Sequence, residues 1–283
     1  MDRGLEEPGL AGLITGKTPV KSLDSALSTH IRLNGTESAF VRTSRGRFQL
    51  REQLSNTVEA VAEQILVFPP RLLSGEYHFQ GVRADWKTFH NRVFDLGPCM
   101  YAHRDIAECT TEYKQVISFV LVTSNGLLLS YLRSEHPRVP ELLRGRSTLG
   151  FGGHLSLSDL SVLTFSDFGL EYSVWRELSE ELGLPLPTPT APAVGMRLSP
   201  IGVLNDDSTL LGRKHFAFVY HLDIGQGSLV ESLRSPDPTC KSLVWLEPEE
   251  ACSGQANLEG WSQWCLFLLV NQFGFGQQPG CFR

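Results

Sequence analysis

Apolar side chains recur in two rhythms along this chain, and the change from one to the other marks its parts. Val20, Leu23, Leu27 and Ile31 fall on one face at helical spacing and the stripe stops at Asn34-Gly35, so a short helix is predicted over residues 22–33 with Pro19 near its start. Phe40-Val41-Arg42 and Arg47-Phe48-Gln49-Leu50 flank Ser44-Arg45-Gly46 and read as the two strands of a small hairpin. Leu54, Val58, Val61 and Ala62 return to helical spacing and predict a linking helix over residues 53–64. Ile65-Leu66-Val67-Phe68 then reads as an edge strand stopped by Pro69-Pro70.

The most regular stretch is a pair of apolar runs, residues 116–122 and 127–132, around Asn125-Gly126, the dipeptide best suited to a two-residue hairpin turn. Further strands are expected at 199–204, 215–222 and 242–246, and helices at 169–182 and 258–270. Strands and helices mix without regular βαβ alternation, so the fold class is α+β. Residues 185–192 form a Pro/Thr loop, and a tail is expected from residue 273 onward. No apolar run approaches the roughly 18 residues that cross a bilayer. The opening Met-Asp-Arg-Gly-Leu-Glu-Glu lacks the basic start and apolar core of a secretory signal, so a cytoplasmic location with no membrane partner is expected.

Composition adds two constraints. At 283 residues and 41% apolar side chains the chain can bury a sizeable core, and its length suggests about two domains. The six cysteines are scattered with no Cys-x-x-Cys pair, which predicts reduced thiols and neither a zinc site nor a disulfide framework. Net charge is −6, yet the stretch from Lys17 to Arg51 holds seven basic residues against Asp24 and Glu37. A basic segment on an acidic chain points to two separate jobs.

The sharpest chemistry lies at Arg176-Glu177-Leu178-Ser179-Glu180-Glu181-Leu182-Gly183-Leu184. On a helix, Glu177, Glu180 and Glu181 project from one face within a turn and repel one another, which favours a counter-charge among them. A hard divalent cation, Mg²⁺ or Mn²⁺, suits carboxylate oxygens and keeps positions for water and phosphate. Arg176 is placed to pair with Glu180 four residues on. Upstream, Gly150-Phe151-Gly152-Gly153-His154 supplies backbone that a pyrophosphate can approach closely.

This string resembles the Nudix consensus Arg-Glu-U-x-Glu-Glu-x-Gly-U at every fixed position, with Leu178 and Leu184 as the aliphatic residues. Tyr113-Lys114-Gln115-Val116-Ile117, Gly145-Arg146-Ser147, Asn205-Asp206-Asp207-Ser208 and Gly212-Arg213-Lys214-His215 extend the similarity to a bacterial Nudix subgroup of predicted phosphoesterases, over roughly residues 65–271. The resemblance implies an α/β/α sandwich with a mixed sheet, and a hydrolase that breaks a phosphoanhydride in a nucleoside diphosphate linked to a second group. It implies Glu177, Glu180, Glu181 and the Gly153 carbonyl as metal ligands, Glu177 as base and Arg176 as the residue orienting the carboxylates. Gly152, His154 and His215 are expected to contact substrate, and Asp206 and Asp207 to hold a ribose of the substrate or to complete the metal shell. One departure stands out. The family spaces Gly and the helical Arg by 14 residues with a Glu eight before that Arg, whereas here the spacing is 23 and the position is Phe168. Residues 155–167 are therefore expected to be an inserted loop, and the outer acid to be missing. Glu171 does not replace it, lying about 120° around the helix from Glu177.

The basic segment is similar to the HARE-type winged helix-turn-helix module through Lys17-Thr18-Pro19-Val20, Leu27-Ser28, Ile31-Arg32-Leu33-Asn34-Gly35, Ser38-Ala39-Phe40-Val41-Arg42 and Gly46-Arg47-Phe48-Gln49-Leu50-Arg51. Only sixteen residues precede Lys17, so a partial module without its leading helices is expected. It implies DNA contact by Arg42, Arg45 and Arg47, salt-sensitive and independent of sequence. The resulting plan is a partial winged helix over 1–55, a linking helix over 56–64, a Nudix domain over 65–272 and a tail over 273–283. The main alternative is a nucleotide-sensing Nudix domain without turnover in a DNA-binding regulator.

Overall fold

The computed structural model divides the chain into two units, residues 1–62 and 63–283. It describes residues 27–31, 33, 38, 40–44 and 47–50 of the first. Of the second it describes 63–274 except 96, 138, 161–166, 188–192, 194, 226–232, 234 and 236–238.

In the first unit residues 27–31 are helical, as their apolar spacing predicts, and the hairpin is present. Strand β1 (Phe40–Ser44) pairs antiparallel with β2 (Arg47–Leu50), with a register shift between Arg42 and Ser44. Arg42 stands opposite Phe48 and Arg47 opposite Ser44, while Arg45 lies outside the described residues. The ring of His30 packs edge-on against Phe40, and its Nδ1 lies 3.0 Å from the Ser38 hydroxyl.

The second unit is built in chain order from β3 (Gln64–Phe68), β4 (Gly81–Arg83), α1 (Trp86–His90), β5 (Met100–His103), α2 (Arg104–Glu108), β6 (Lys114–Ser124), β7 (Leu127–Arg133), β8 (Ser147–Thr148), β9 (Gly150–Phe151), α3 (Leu170–Leu182), β10 (Arg197–Asn205), α4 (Leu210–Arg213), β11 (His215–Asp223), β12 (Cys240–Leu246), α5 (Pro248–Cys252) and α6 (Gly260–Phe273). Its sheet runs β12-β7-β6-β11-β10-β4. Strands β6 and β11 are parallel and the other neighbours along this path antiparallel, so the sheet is mixed as expected. Asn125 and Gly126 both take positive φ between β6 and β7, the backbone of a type I′ turn, which is why that hairpin is readable from two residues.

Every residue of β6 is buried, and its two faces feed two cores. Val116, Val120 and Val122 pack with Leu170, Val174, Leu178 and Leu182 of α3. Ile117, Phe119 and Leu121 pack with Cys265, Leu266, Leu268 and Leu269 of α6. The sheet is thus covered by a helix on each side, and β6 reads as a continuous apolar run because neither face meets water. Truncating one such side chain, Leu178→Ala for example, removes contacts worth about 2–5 kcal/mol.

Several expectations need correction. The expected linking helix falls on residues outside the described set up to 62, but Gln64, its last residue, opens β3. Strand β3 is not a simple edge: it pairs with β5 along Gln64–Val67 and reaches β6 at Val67 and Phe68 before the prolines stop it. Phe273 belongs to α6, which runs on until Gly274 takes the left-handed conformation, and not to the tail. Leu258 lies ahead of that helix, bridged to Ser147, and Glu259 caps it by accepting bonds from the amides of Trp261 and Ser262. No helix among the described residues is long and apolar enough to cross a membrane.

On β11, His221 Nε2 lies 2.7 Å from the Thr123 hydroxyl, with Phe273 against its ring. Burial pushes its pKa down to about 4; Arg197 adds to this and Asp223 opposes it. A histidine depressed in the folded state contributes stability that is whole above its unfolded pKa, about 6.5, and is lost as pH falls towards 4. The urea midpoint is therefore expected to fall between pH 6.5 and 4. His221→Gln should remove up to about 3 kcal/mol of that fall; an unchanged pH slope in the variant would contradict this assignment.

Candidate active site

Helix α3 begins under an Asp167 cap, whose carboxylate accepts from the amides of Gly169 and Glu171. It ends at Gly183, whose left-handed backbone turns the amides of Gly183 and Leu184 back onto Ser179 and Leu178. Between these ends Leu170, Val174, Leu178 and Leu182 fix the helix on the core. Glu181 is buried and its Oε2 accepts the Gly152 amide at 2.9 Å. Glu177 is nearly buried and lies directly on Gly153: a β-carbon there would sit 2.5 Å from Glu177 Oε1. Glu180 is largely exposed. Glycine is required at 152 as well, where φ is +143° and any side chain would run into the Ser118 carbonyl.

Arg176 ties the group together. Its Nη1 donates to Glu177 Oε1 at 2.6 Å and to Glu180 Oε2 at 3.3 Å, while Nη2 donates to the His154 carbonyl at 3.1 Å. On its other side Nε and Nη2 grip both oxygens of Asp159, at 2.6 and 2.9 Å. Asp159 is fully buried, and its Oδ2 also accepts the amide of Ser156, closing a capping box around a short 3₁₀ turn at Leu157–Asp159.

Asp159 overturns the expectation of a missing outer acid. The family spacing quoted above places that acid six residues after the glycine as well as eight before the arginine. Counting back from Arg176 lands on Phe168, which stacks on Phe94 at 5.2 Å. Counting forward from Gly153 lands on Asp159, which meets Arg176. The extra length therefore follows Asp159 rather than preceding it. Tyr101 was also not foreseen. Its hydroxyl is buried without a hydrogen-bond partner among the described residues, and burial, then the charge of Asp159, push its pKa up to about 12.

The remaining expected residues fall into two groups. His154 is adjacent to Gly153; its Nε2 lies 2.6 Å from Gln115 Oε1, and its ring faces that of His215 at 5.4 Å. His215 Nδ1 bonds the Leu211 carbonyl. Burial depresses the pKa of both imidazoles, so they stay neutral at physiological pH. Asp206 and Asp207 have framework partners instead. Asp206 Oδ1 accepts from Gln80 Nε2 and from the amide and hydroxyl of Ser208. Asp207 accepts from Lys114 Nζ at 2.9 Å and from Asn205 Nδ2.

The donor set suits a hard cation. Asp159, Glu177 and Glu180 share the Arg176 guanidinium, and Glu181 lies on the Gly152 amide. The Glu177 carboxyl stays above the usual range because burial outweighs what Arg176 contributes. Such a carboxylate gains from a further positive charge. The Gly153 carbonyl already accepts from the Ser118 amide at 3.0 Å. As arranged, no three His, Cys, Asp or Glu side chains among the described residues converge to hold an ion.

The fold is that of a Nudix structure. The crystal structure of Tm1382, assigned to the Nudix hydrolases, superposes with a TM-score of 0.55 at 22% identity, covering 74% of this chain and 99% of that one. Protein YmaB of Bacillus subtilis (strain 168) is 26% identical over 198 residues, 68% of this chain and 88% of its own length. The Nudix domain of Shewanella oneidensis NrtR complexed with ADP ribose aligns at 14% identity over 56% of this chain and 88% of that one, and its TM-score of 0.39 is too low to bear on the argument. No family model matches the chain.

Removing one member of a buried ion pair costs about 3–5 kcal/mol, because the other is left uncompensated. Asp159→Asn keeps the shape and the bond from Ser156, so a loss of roughly 3 kcal/mol in urea unfolding is expected. A midpoint equal to that of the unaltered protein would deny the pair this role.

Proposed function

We propose that this chain is a metal-dependent Nudix hydrolase that breaks a phosphoanhydride bond in a nucleoside diphosphate linked to a second group. The observation that carries the reading is the placement of Glu177 against Gly153 and of Glu181 on the Gly152 amide, with Arg176 paired to Glu177 and Glu180. The three carboxylates and the Gly153 carbonyl would hold Mg²⁺ or Mn²⁺. The ion, when bound, supplies positive charge for the phosphates and lowers the pKa of a water molecule.

Each chain residue then has a task. Glu177 accepts the proton of the attacking water at Oε2, the oxygen not bonded to Arg176; burial has raised its basicity for that work. Water oxygen bonds to phosphorus as the bond to the leaving phosphate breaks. Arg176, clamped by Asp159, keeps Glu177 and Glu180 in their rotamers. Gly152 and Gly153 let the phosphates approach the backbone, and the neutral imidazoles of His154 and His215 offer hydrogen bonds to them without adding charge. The alternative of a nucleotide sensor without turnover rests on Phe168 and the long insertion; the pairing of Asp159 with Arg176 favours the hydrolase, and the insertion after Asp159 remains the ground for the sensor.

Release of nucleoside monophosphate from nucleoside diphosphate derivatives with Mg²⁺ or Mn²⁺ is expected, falling by about 10² or more in kcat in Glu177→Gln with KM little changed, as for a group acting in the transition state. Equal turnover in the variant would remove Glu177 from the role of base. For the N-terminal hairpin the reading is contact of Arg42, Arg45 and Arg47 with DNA phosphates. Arg45→Ala/Arg47→Ala should weaken duplex binding and flatten its salt dependence by about two phosphate contacts, and binding that ignores the change would end the DNA reading.

A further inference from the structure

A cavity of about 470 Å³ opens where the segment after β3 meets the end of β10 and the helix α4, and it contains none of the carboxylates of α3. Arg71, His78, Lys114, Asp207 and Arg213 contribute its charged and titratable groups, with hydroxyls from Ser74 and Thr111. Lys114 is 2% exposed and its three Nζ hydrogens are spent on Asp207, the Gly212 carbonyl and the His215 carbonyl, so it neutralises the one acid in the wall. Arg71 and Arg213 are exposed, come from separate segments, and form no ion pair with a described residue. Arg213 is anchored by a bond from its Nε to the Asp207 carbonyl, which leaves its terminal nitrogens for another acceptor. Leaving His78 aside, the wall carries a formal excess of two positive charges on a chain whose net charge is −6.

We propose that this cavity is a second ligand site, for the phosphoryl group of a small molecule, gripped by Arg71 and Arg213. Guanidinium forks match phosphate oxygens in pairs, and two forks from different segments define a site where one would be only a surface charge. Asp207 belongs to the framework of this site: paired with Lys114 and Asn205, it fixes the backbone that anchors Arg213 at the end of α4 and does not repel the anion. The phosphoryl group has two sources, the far end of a substrate held at α3 or a separate phosphorylated compound, and the same chemistry serves both.

Inorganic pyrophosphate is the probe, titrated calorimetrically at 150 mM KCl with EDTA present, so that binding through a divalent ion at α3 is suppressed. The unaltered full-length chain should bind one equivalent, and Glu177→Gln should bind it equally. Arg71→Ala/Arg213→Ala should weaken binding by about tenfold or more, and Arg71→Lys/Arg213→Lys should recover part of it. Absence of metal-free binding, or equal affinity in the double alanine variant, overturns the proposal. Hydrolysis kinetics of the double variant then assign the source: a raised KM at constant kcat marks the substrate's own phosphoryl group, and unchanged kinetics mark a separate compound. The binding assay needs no turnover, so its failure is distinct from failure of the hydrolase reading.

Discussion

A single guanidinium, that of Arg176, holds the site to the fold. It lies between a fully buried Asp159 on one side and Glu177 and Glu180 on the other, and it also reaches the carbonyl of His154. Burying a charge is tolerable only when it is paired and hydrogen-bonded. Three acids and a carbonyl meet that condition for Arg176, and Ser156 adds a bond to Asp159. The glycine loop, the short turn after it and the helix are thereby clamped at one point, so the position of Glu177 is set by tertiary structure and not by its own flexible side chain.

The sheet supplies the second constraint. Strand β6 passes between the two cores and lines up, along its length, the Ser118 amide that holds Gly153, the Gln115 side chain that holds His154, and Lys114 in the wall of the phosphoryl cavity. Four residues of strand span about 13 Å. The same rigid element therefore sets both the carboxylate cluster and the cationic cavity, and a shift of β6 would be felt at both.

Sequence patterns were most informative where a period ran for several residues. Strands β6, β7, β10, β11 and β12 and helices α3 and α6 all coincide with apolar runs or stripes, and the turn between β6 and β7 was legible from Asn125-Gly126. The elements that escaped, β4, β5, β8, β9, α1, α2, α4 and α5, are two to five residues long, too short for any period to show. The three glutamates and Arg176 were legible because a helix brings residues three and four apart together. Asp159 was not, since its partner lies 17 residues away across a segment of atypical length, and it could be found only by counting from the glycine and not from the arginine. Asp206 and Asp207 show the opposite case: adjacent acids resembling a ligand pair turn out to be bound to Gln80, Ser208, Lys114 and Asn205.

The place of the glutamates within α3 has its own electrical meaning. The helix ends at Leu182 under the Gly183 cap, so Glu180 and Glu181 stand in its last turn and Glu177 one turn earlier. Peptide dipoles aligned along a helix leave roughly half a negative charge at that end. The backbone therefore deepens the potential well that the side chains create, and the same carboxylates placed at the opposite terminus would attract a positive ion less strongly.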